Sequence, residues 1–180
     1  MPLDSSNLMT LLDRAAAAAA AARVHQYGLQ QRLSPPATPV ELEALQESVP
    51  FALDTSFLDF LRIANGAEFD LIVPMEGAEH NDSFQIWASQ RIEQFYRKYL
   101  ADDGARPLLL PFGQREADYL GIDPRQQLEG GIAVVFIEHD NPEAAYYEPP
   151  VAASFEEWLR RTFQNVSNGS FEYWSETRSQ

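Results

Sequence analysis

Three histidines, His25, His80 and His139, are the residues of this 180-residue chain best suited by type to move protons or hold a metal. Their spacing supports neither use: there is no HxH or HExxH pair, and with no cysteine there is no thiolate to complete a zinc site. The lack of cysteine also removes disulfides, iron–sulfur clusters and thiol nucleophiles, and gives no sign of secretion. His139 stands beside Asp140, but the run His139–Asp140–Asn141–Pro142 reads as a turn. Gly130–Gly131 lacks the GxGxxG and GxxxxGK spacings and leads into an apolar run, not into a helix whose amides would receive a phosphate. No GxSxG elbow offers an activated serine. Paired acids such as Asp102–Asp103 and Glu156–Glu157 are expected among 27 Asp and Glu, and both pairs fall at helix ends, where charge suits the dipole or the solvent. Carboxylates converging from distant loops are the one remaining route to acid–base chemistry. The expectation is a protein without catalytic residues, metal ligands or a bound cofactor.

The charge balance points instead to binding. Thirteen Lys and Arg against 27 Asp and Glu leave a net charge of -14, with a pI near 4.5. Such a surface repels phosphate backbones, which argues against a nucleic-acid partner. It suits a basic protein, because complementary fields raise association rates by ~10–10³, although an acidic surface also serves solubility alone. No stretch approaches the ~20 apolar residues of a membrane span. The run Ala15–Ala22 follows Asp4 and Asp13 where a secretory signal needs a basic start. Alanine is the best helix former, so Ser6 to Tyr27 is expected to be a helix and the protein cytoplasmic.

The elements that would position any site follow from caps and periodicity. Gly28 ends the first helix and Leu33–Ser34–Pro35–Pro36–Ala37 reads as a linker, giving residues 1–37 as an N-terminal helix and linker, 38–165 as the main domain and 166–180 as a tail. That helix can pack on the domain, pair with a second copy or fray, which leaves the oligomeric state open. Thr38, Pro39 and Glu41 make a capping box ahead of Leu42, Leu45 and Val49, and Pro50 stops the helix. Asp54 caps a second helix with Phe57, Leu58, Leu61 and Ala64 on its buried stripe and Asn65–Gly66 at its end. Short strands at Phe69–Val73 and Phe84–Ala88 flank a polar, acidic loop from Glu76 to Ser83. A third helix spans Ser89 to Leu100. Leu108–Phe112, Tyr119–Asp123 and the apolar Ile132–Ile137 read as strands, with Ala145–Glu148 as a partner strand after the turn Asp140–Asn141–Pro142–Glu143. Ser154 and Glu157 open the last helix as a second capping box. The order implies an α+β fold, a mostly antiparallel sheet of about five to six strands flanked by N- and C-terminal helices.

Aromatic residues rimmed by charge are what a protein-binding patch uses. Trp87 ends a strand beside the acidic loop, and Tyr146 and Tyr147 follow the second acidic turn, where strand alternation places one of the pair in the core. The candidate partner-binding residues are Glu76, Glu79, Asp82, Asp140 and Glu143, with Trp87 as the anchor.

The stretch LEALQESVPFALDTSFLDFLRIANGAE resembles the opening of SUKH-superfamily proteins, the Smi/Knr-like domains: a helix, a proline, an aromatic-rich helix and an Asn-Gly end. The strand into Trp87, LLLPFGQREADYLGID, GIAVVFIEHD and VAASFEEWLRRTF follow in matching order, so the resemblance covers Thr38 to Asn165. Ala67–Glu68 stands where the family commonly has a second glycine, and Arg115–Glu116–Ala117 replaces a Gly-Asp-rich turn. The resemblance implies a SUKH-like fold and a binding module with no catalytic residues to carry over. Many bacterial members resemble immunity proteins, which neutralise a cognate polymorphic toxin, often a nuclease, by direct binding; fungal relatives are regulatory scaffolds. A toxin that grips phosphates is basic, which an acidic inhibitor complements.

Overall fold

Local hydrogen bonding starts each helix where the sequence signals it. In the computed structural model, which describes residues 6–10, 13, 14, 17, 28–75, 78–99 and 109–167, helix α1 (Pro39–Ser48) opens on the expected box. The Thr38 amide donates to Glu41 Oε2 at 2.7 Å and the Glu41 amide donates to Thr38 Oγ1 at 3.3 Å. Helix α2 (Thr55–Ile63) is capped by Asp54, whose Oδ1 accepts from the amides of Ser56 and Phe57. It ends at Ile63 with Ala64 as an extended C-cap, just before Asn65–Gly66, where Gly66 has φ +99° and a Cβ would lie 2.9 Å from the Ala88 nitrogen. Helix α3 (Ser89–Tyr99) follows. Helix α4 (Phe155–Ser167) starts at Ser154, whose Oγ accepts from the Glu157 amide, while the Glu157 carboxylate reaches back to the amide of Ala153.

Six strands form one antiparallel sheet in the order β1-β2-β3-β4-β5-β6: β1 Gly28–Leu33, β2 Ala67–Met75, β3 Ala78–Ile86, β4 Leu110–Arg115, β5 Asp118–Leu128 and β6 Gly131–Ile137. The α+β class and the antiparallel sheet agree with the sequence reading; three elements differ from it. Residues 28–33, which follow the first helix and run into the proposed linker, form an edge strand paired from Gly28↔Ile72 to Leu33↔Ala67. The acidic loop expected from Glu76 to Ser83 is largely strand. Its ladder runs unbroken from Ala67↔Ile86 to Met75↔Ala78, because backbone pairing continues whatever the side-chain polarity. The strand expected at Ala145–Glu148 is a 3-10 turn, Pro142–Tyr146. Proline fixes the backbone at its start, and amides that would have joined a ladder bond locally instead, Ala144 to the Asn141 carbonyl and Tyr147 to the Ala144 carbonyl. The outer edge of β6 is met by Val151 and Ala152, with Val134 and Ala152 forming a bridge.

The helices cover one face of the sheet through an aromatic core. Phe69 stacks on Phe84 directly across the β2–β3 pair, 4.6 Å between centroids; Phe57, Phe112 and Phe155 lie within 5.1–5.6 Å of one another, and Trp158 lies 5.3 Å from Phe112 and 5.6 Å from Phe155, in tilted or edge contacts. Leu8, from the helical residues 6–10, is buried in the same core, so the N-terminal segment packs on the domain at that point. Most of the alanine run and the aromatic tail from residue 168 lie outside the described residues. On the opposite face the 3-10 turn lays Ala145 and Tyr146 against Val135, Ile137 and Leu109 as a second, smaller cluster.

One buried carboxylate joins the two halves of the chain. Asp54 Oδ2 accepts the Ile132 amide at 3.0 Å, 78 residues away, while Oδ1 caps α2 and also takes the Ser56 hydroxyl. Ser56 Oγ in turn accepts the first-turn amide of Glu156 in α4. Gly131 has φ +151°, and a Cβ there would meet Asp54 Oδ2 at 2.2 Å, so glycine is what lets β6 approach the carboxylate.

Candidate functional site

The register of the sheet gathers acids at one end. Phe84 of β3 lies across from Arg115, Arg115 across from Asp118, and Tyr119 across from Ile137. The turn Glu116–Ala117, the start of β5, the exit of β6 and the part of β3 before Phe84 therefore share that end. It carries Glu116, Asp118, Glu138 and Asp140, with Arg115 and His139 as cations among them. From β3 to β6 is three ladder steps, about 14 Å, a width one face of a protein partner can cover.

His139 ties this end together. Its amide and Nδ1 both meet Asp118 Oδ1, at 3.0 and 3.1 Å, and Nε2 lies 2.9 Å from Asp140 Oδ1. The hydrogen bond to Asp118 raises the imidazole pKa above its usual value against a smaller desolvation effect, and the charges of Asp140 and Asp118 add to the rise. A protonated ring donates from both nitrogens and so satisfies both carboxylates at once.

The proposed binding residues fall as follows. Asp140 is 87% exposed at the side chain and Glu143 is exposed on the 3-10 turn. Glu79 and Asp82 lie in β3, across from Pro74 and Leu71, on the stretch that extends past Phe84 towards the acidic end. Glu76 lies outside the described residues. Trp87 is not a surface anchor: at 2% exposure it is a core residue, between Phe95 and Tyr119, with the Arg91 guanidinium 4.3 Å from its centroid. Its amide donates to the Phe112 carbonyl, so the backbone pairing of β3 with β4 runs one step further and carries the ring under α3. Glu116, Asp118 and Glu138 were not singled out from the sequence; each is an ordinary turn acid, and their convergence is a property of register.

A second feature lies on the face that holds the 3-10 turn. The ladder between β5 and β6 is irregular between Asp123 and Gln127, and the strand bends there. Asp123, fully buried, accepts from the Arg125 amide and Nε through Oδ1 and from Arg125 Nη2 and Gln126 Nε2 through Oδ2, all at 2.7–3.0 Å. Burial alone would raise the Asp123 pKa; the hydrogen bonds from Arg125 and Gln126 outweigh it and hold the carboxyl below its ordinary range. The Arg125 guanidinium stacks 4.6 Å from the Tyr146 ring centroid. Arg125, Gln126, Tyr146, Tyr147, Glu148 and Pro149 line an open groove of about 540 Å³, and Tyr147 is 86% exposed at its rim. The signal for this knot was present in Asp123–Pro124–Arg125, where an aspartate can take the amide two residues on.

Among the described residues no group of three or more His, Asp or Glu is placed to hold a metal ion, and no helix is long and apolar enough to cross a membrane. No curated protein matches the chain. A family model does, that of the SMI1 / KNR4 family (SUKH-1), over residues 36–161. That span runs from the turn before α1 into α4 and takes in five of the six strands, Asp54 and its partners, and both the acidic end and the groove. With a match over well more than half of its length and an α+β antiparallel sheet beneath it, the chain belongs to the SMI1 / KNR4 family (SUKH-1).

Proposed function

We propose that this chain is a cytoplasmic immunity protein that neutralises a cognate basic toxin domain, of nuclease type, by binding it directly at the acidic end of the sheet. The observation that carries this reading is the convergence of Glu116, Asp118, Glu138 and Asp140 at one end, on the side towards which the Glu79–Asp82 stretch of β3 projects. Acids gathered at one end of the sheet suit a partner of opposite charge. The net charge of -14 extends the same field over the molecule and disfavours nucleic acid as the ligand. Membership in a family of binding modules agrees with action by contact, without catalysis.

The test is co-expression with the toxin encoded beside it, scoring rescue of growth, followed by association kinetics on the purified pair. Replacing Glu116, Glu138 and Asp140 together with Glu76, Glu79, Asp82 and Glu143 by alanine should slow association about tenfold or more and flatten its dependence on salt. Unchanged association rates would reject the acidic end as the docking face. A gene neighbourhood without a toxin, or wild-type protein that fails to rescue, would favour a regulatory scaffold.

A further inference from the structure

We infer that the outer edge of β1 is a homodimer contact, at which two copies of this chain pair their β1 strands antiparallel about Gln31 and join their sheets into one. The two outer edges of the sheet are treated differently. Along β6 the outward groups are taken up within the chain: the Ile132 amide donates to Asp54 Oδ2 at 3.0 Å and the Val134 amide to the Ala152 carbonyl at 2.9 Å. Along β1 there is no such cover among the described residues. An uncovered edge is a template for another strand.

The phase of the ladder says which residues that strand would meet. The Ser34 amide donates to the Gly66 carbonyl at 3.0 Å, one step past Leu33↔Ala67. Main-chain groups alternate sides along a strand, so those of Arg32 and Gln30 also face β2, and those of Leu33, Gln31 and Leu29 face away. Counting from β4 gives the same phase. The Trp87 amide donates to the Phe112 carbonyl there, which turns the groups of Phe84 towards β2, those of Phe69 towards β3, and those of Gln31, across from Phe69, outward.

Gln31 supplies a second observation. Phe69 is a core residue, so Gln31 opposite it points to the helix-covered face, and its Oε1 is buried without a hydrogen-bond partner. Such an oxygen calls for a donor. In an antiparallel pair centred on Gln31 the two copies of that residue stand directly opposite, and each Nε2 donates to the Oε1 of the other. The flanking positions match under the same two-fold: Leu29 stands opposite Leu33 and Gln30 opposite Arg32. Arg32 is the only charged residue of β1 and is held by its own Glu68 and Asp70, at 3.0 and 3.2 Å, so no like charges stand directly opposite. A two-fold contact requires this self-complementarity, whereas a strand from a different protein does not, which favours a second copy as the occupant. The net charge of -14 sets two copies against each other, and an edge whose one charge is Arg32 adds nothing to that repulsion. The inference does not rest on the toxin reading, and its test uses no toxin.

Sedimentation velocity on the full-length protein from about 1 to 500 µM should show the 20.3 kDa chain giving way to a dimer. Gln31→Pro should remain monomeric throughout. Proline removes the outward amide at the two-fold and leaves the β1–β2 ladder complete, because that amide takes no part in it. Thermal melting at the lowest concentration reports whether the variant is folded. Single cysteines, in a chain that has none of its own, read the register independently. Under mild oxidation Gln31→Cys should cross-link about tenfold faster than Gln30→Cys or Arg32→Cys, because only residue 31 faces its own copy. A wild-type chain that stays monomeric at the highest concentration would overturn the inference. So would a dimer that survives Gln31→Pro, as one held by the alanine-rich segment would, or equal cross-linking at the three positions.

Discussion

Two sets of acids in this molecule do opposite things. Asp54 and Asp123 are buried, and each is surrounded by donors: three backbone amides and a hydroxyl for Asp54, the Arg125 and Gln126 groups for Asp123. Asp118 and Asp140 at the sheet end share one histidine between them, and Asp140 is almost wholly in solvent. A buried carboxylate is tolerable only when its lone pairs are taken up, so each buried acid becomes a joint that fixes the chain around it. The acids at the sheet end need less such provision, because water takes up what the histidine leaves. In a chain with 27 acids, substitution should therefore separate those that hold the fold from those available to a partner.

The largest effect is expected at Asp54. Asp54→Ala removes the cap of α2 and orphans the buried Ile132 amide, a combined loss of about 3 kcal/mol. Denaturant unfolding would show it as a lower midpoint at unchanged slope; a midpoint within error of wild type would erase the contrast between the two sets. Asp123→Asn comes next, at about 1–3 kcal/mol, because Arg125 loses a charged partner yet can still turn towards water. The same variant should loosen the groove, read as a broadened Tyr146 ring signal. Its wild-type contribution is present above the ordinary carboxyl pKa of 3.8 and is lost as pH falls through the lower folded value.

His139 sharpens the comparison from the exposed side. Its folded pKa is raised, so its contribution is complete below the unfolded value of 6.5 and fades as pH rises through the folded value. The ring resonances should titrate above that value, and Asp118→Asn should move the midpoint down; an unmoved midpoint would break the assignment. The smallest effect belongs to Glu116, which holds φ +52° in the β4–β5 turn. Glu116→Gly should stabilise by at most about 1 kcal/mol, since glycine reaches that region freely but loses more chain entropy. Thermal melting resolves the sign.

What the sequence disclosed divides along the same line between local and distant causes. The caps at Thr38, Asp54 and Ser154 were legible because each is decided within four residues, and so was the stop at Asn65–Gly66. The run Ile132–Ile137 was legible because burial on both faces demands continuous apolar residues. Polar strands were not. Residues 28–33, GLQQRL, and the stretch Ala78–Ser83 carry little β-propensity, and they are strands because a neighbour supplies a ladder. Trp87 was misplaced because its position at a strand end does not reveal that α3 lies over it, with Arg91 and Phe95 on its ring. At the site, Asp140 and Glu143 could be picked out as exposed turn acids, whereas the grouping of Asp140 with Asp118 and Glu138 depends on which strand lies beside which.

Every strand of the sheet lies beside its neighbour in the chain, and the β2–β3, β4–β5 and β5–β6 connections are tight. Closing such short loops carries a small entropic penalty, so these hairpins can zip early and independently during folding. The bond from Asp54 to the Ile132 amide spans 78 residues and can form only after α2 has docked on the assembled sheet. It thus acts as a latch, slowing escape from the native state while leaving the rate of reaching it largely to the hairpins.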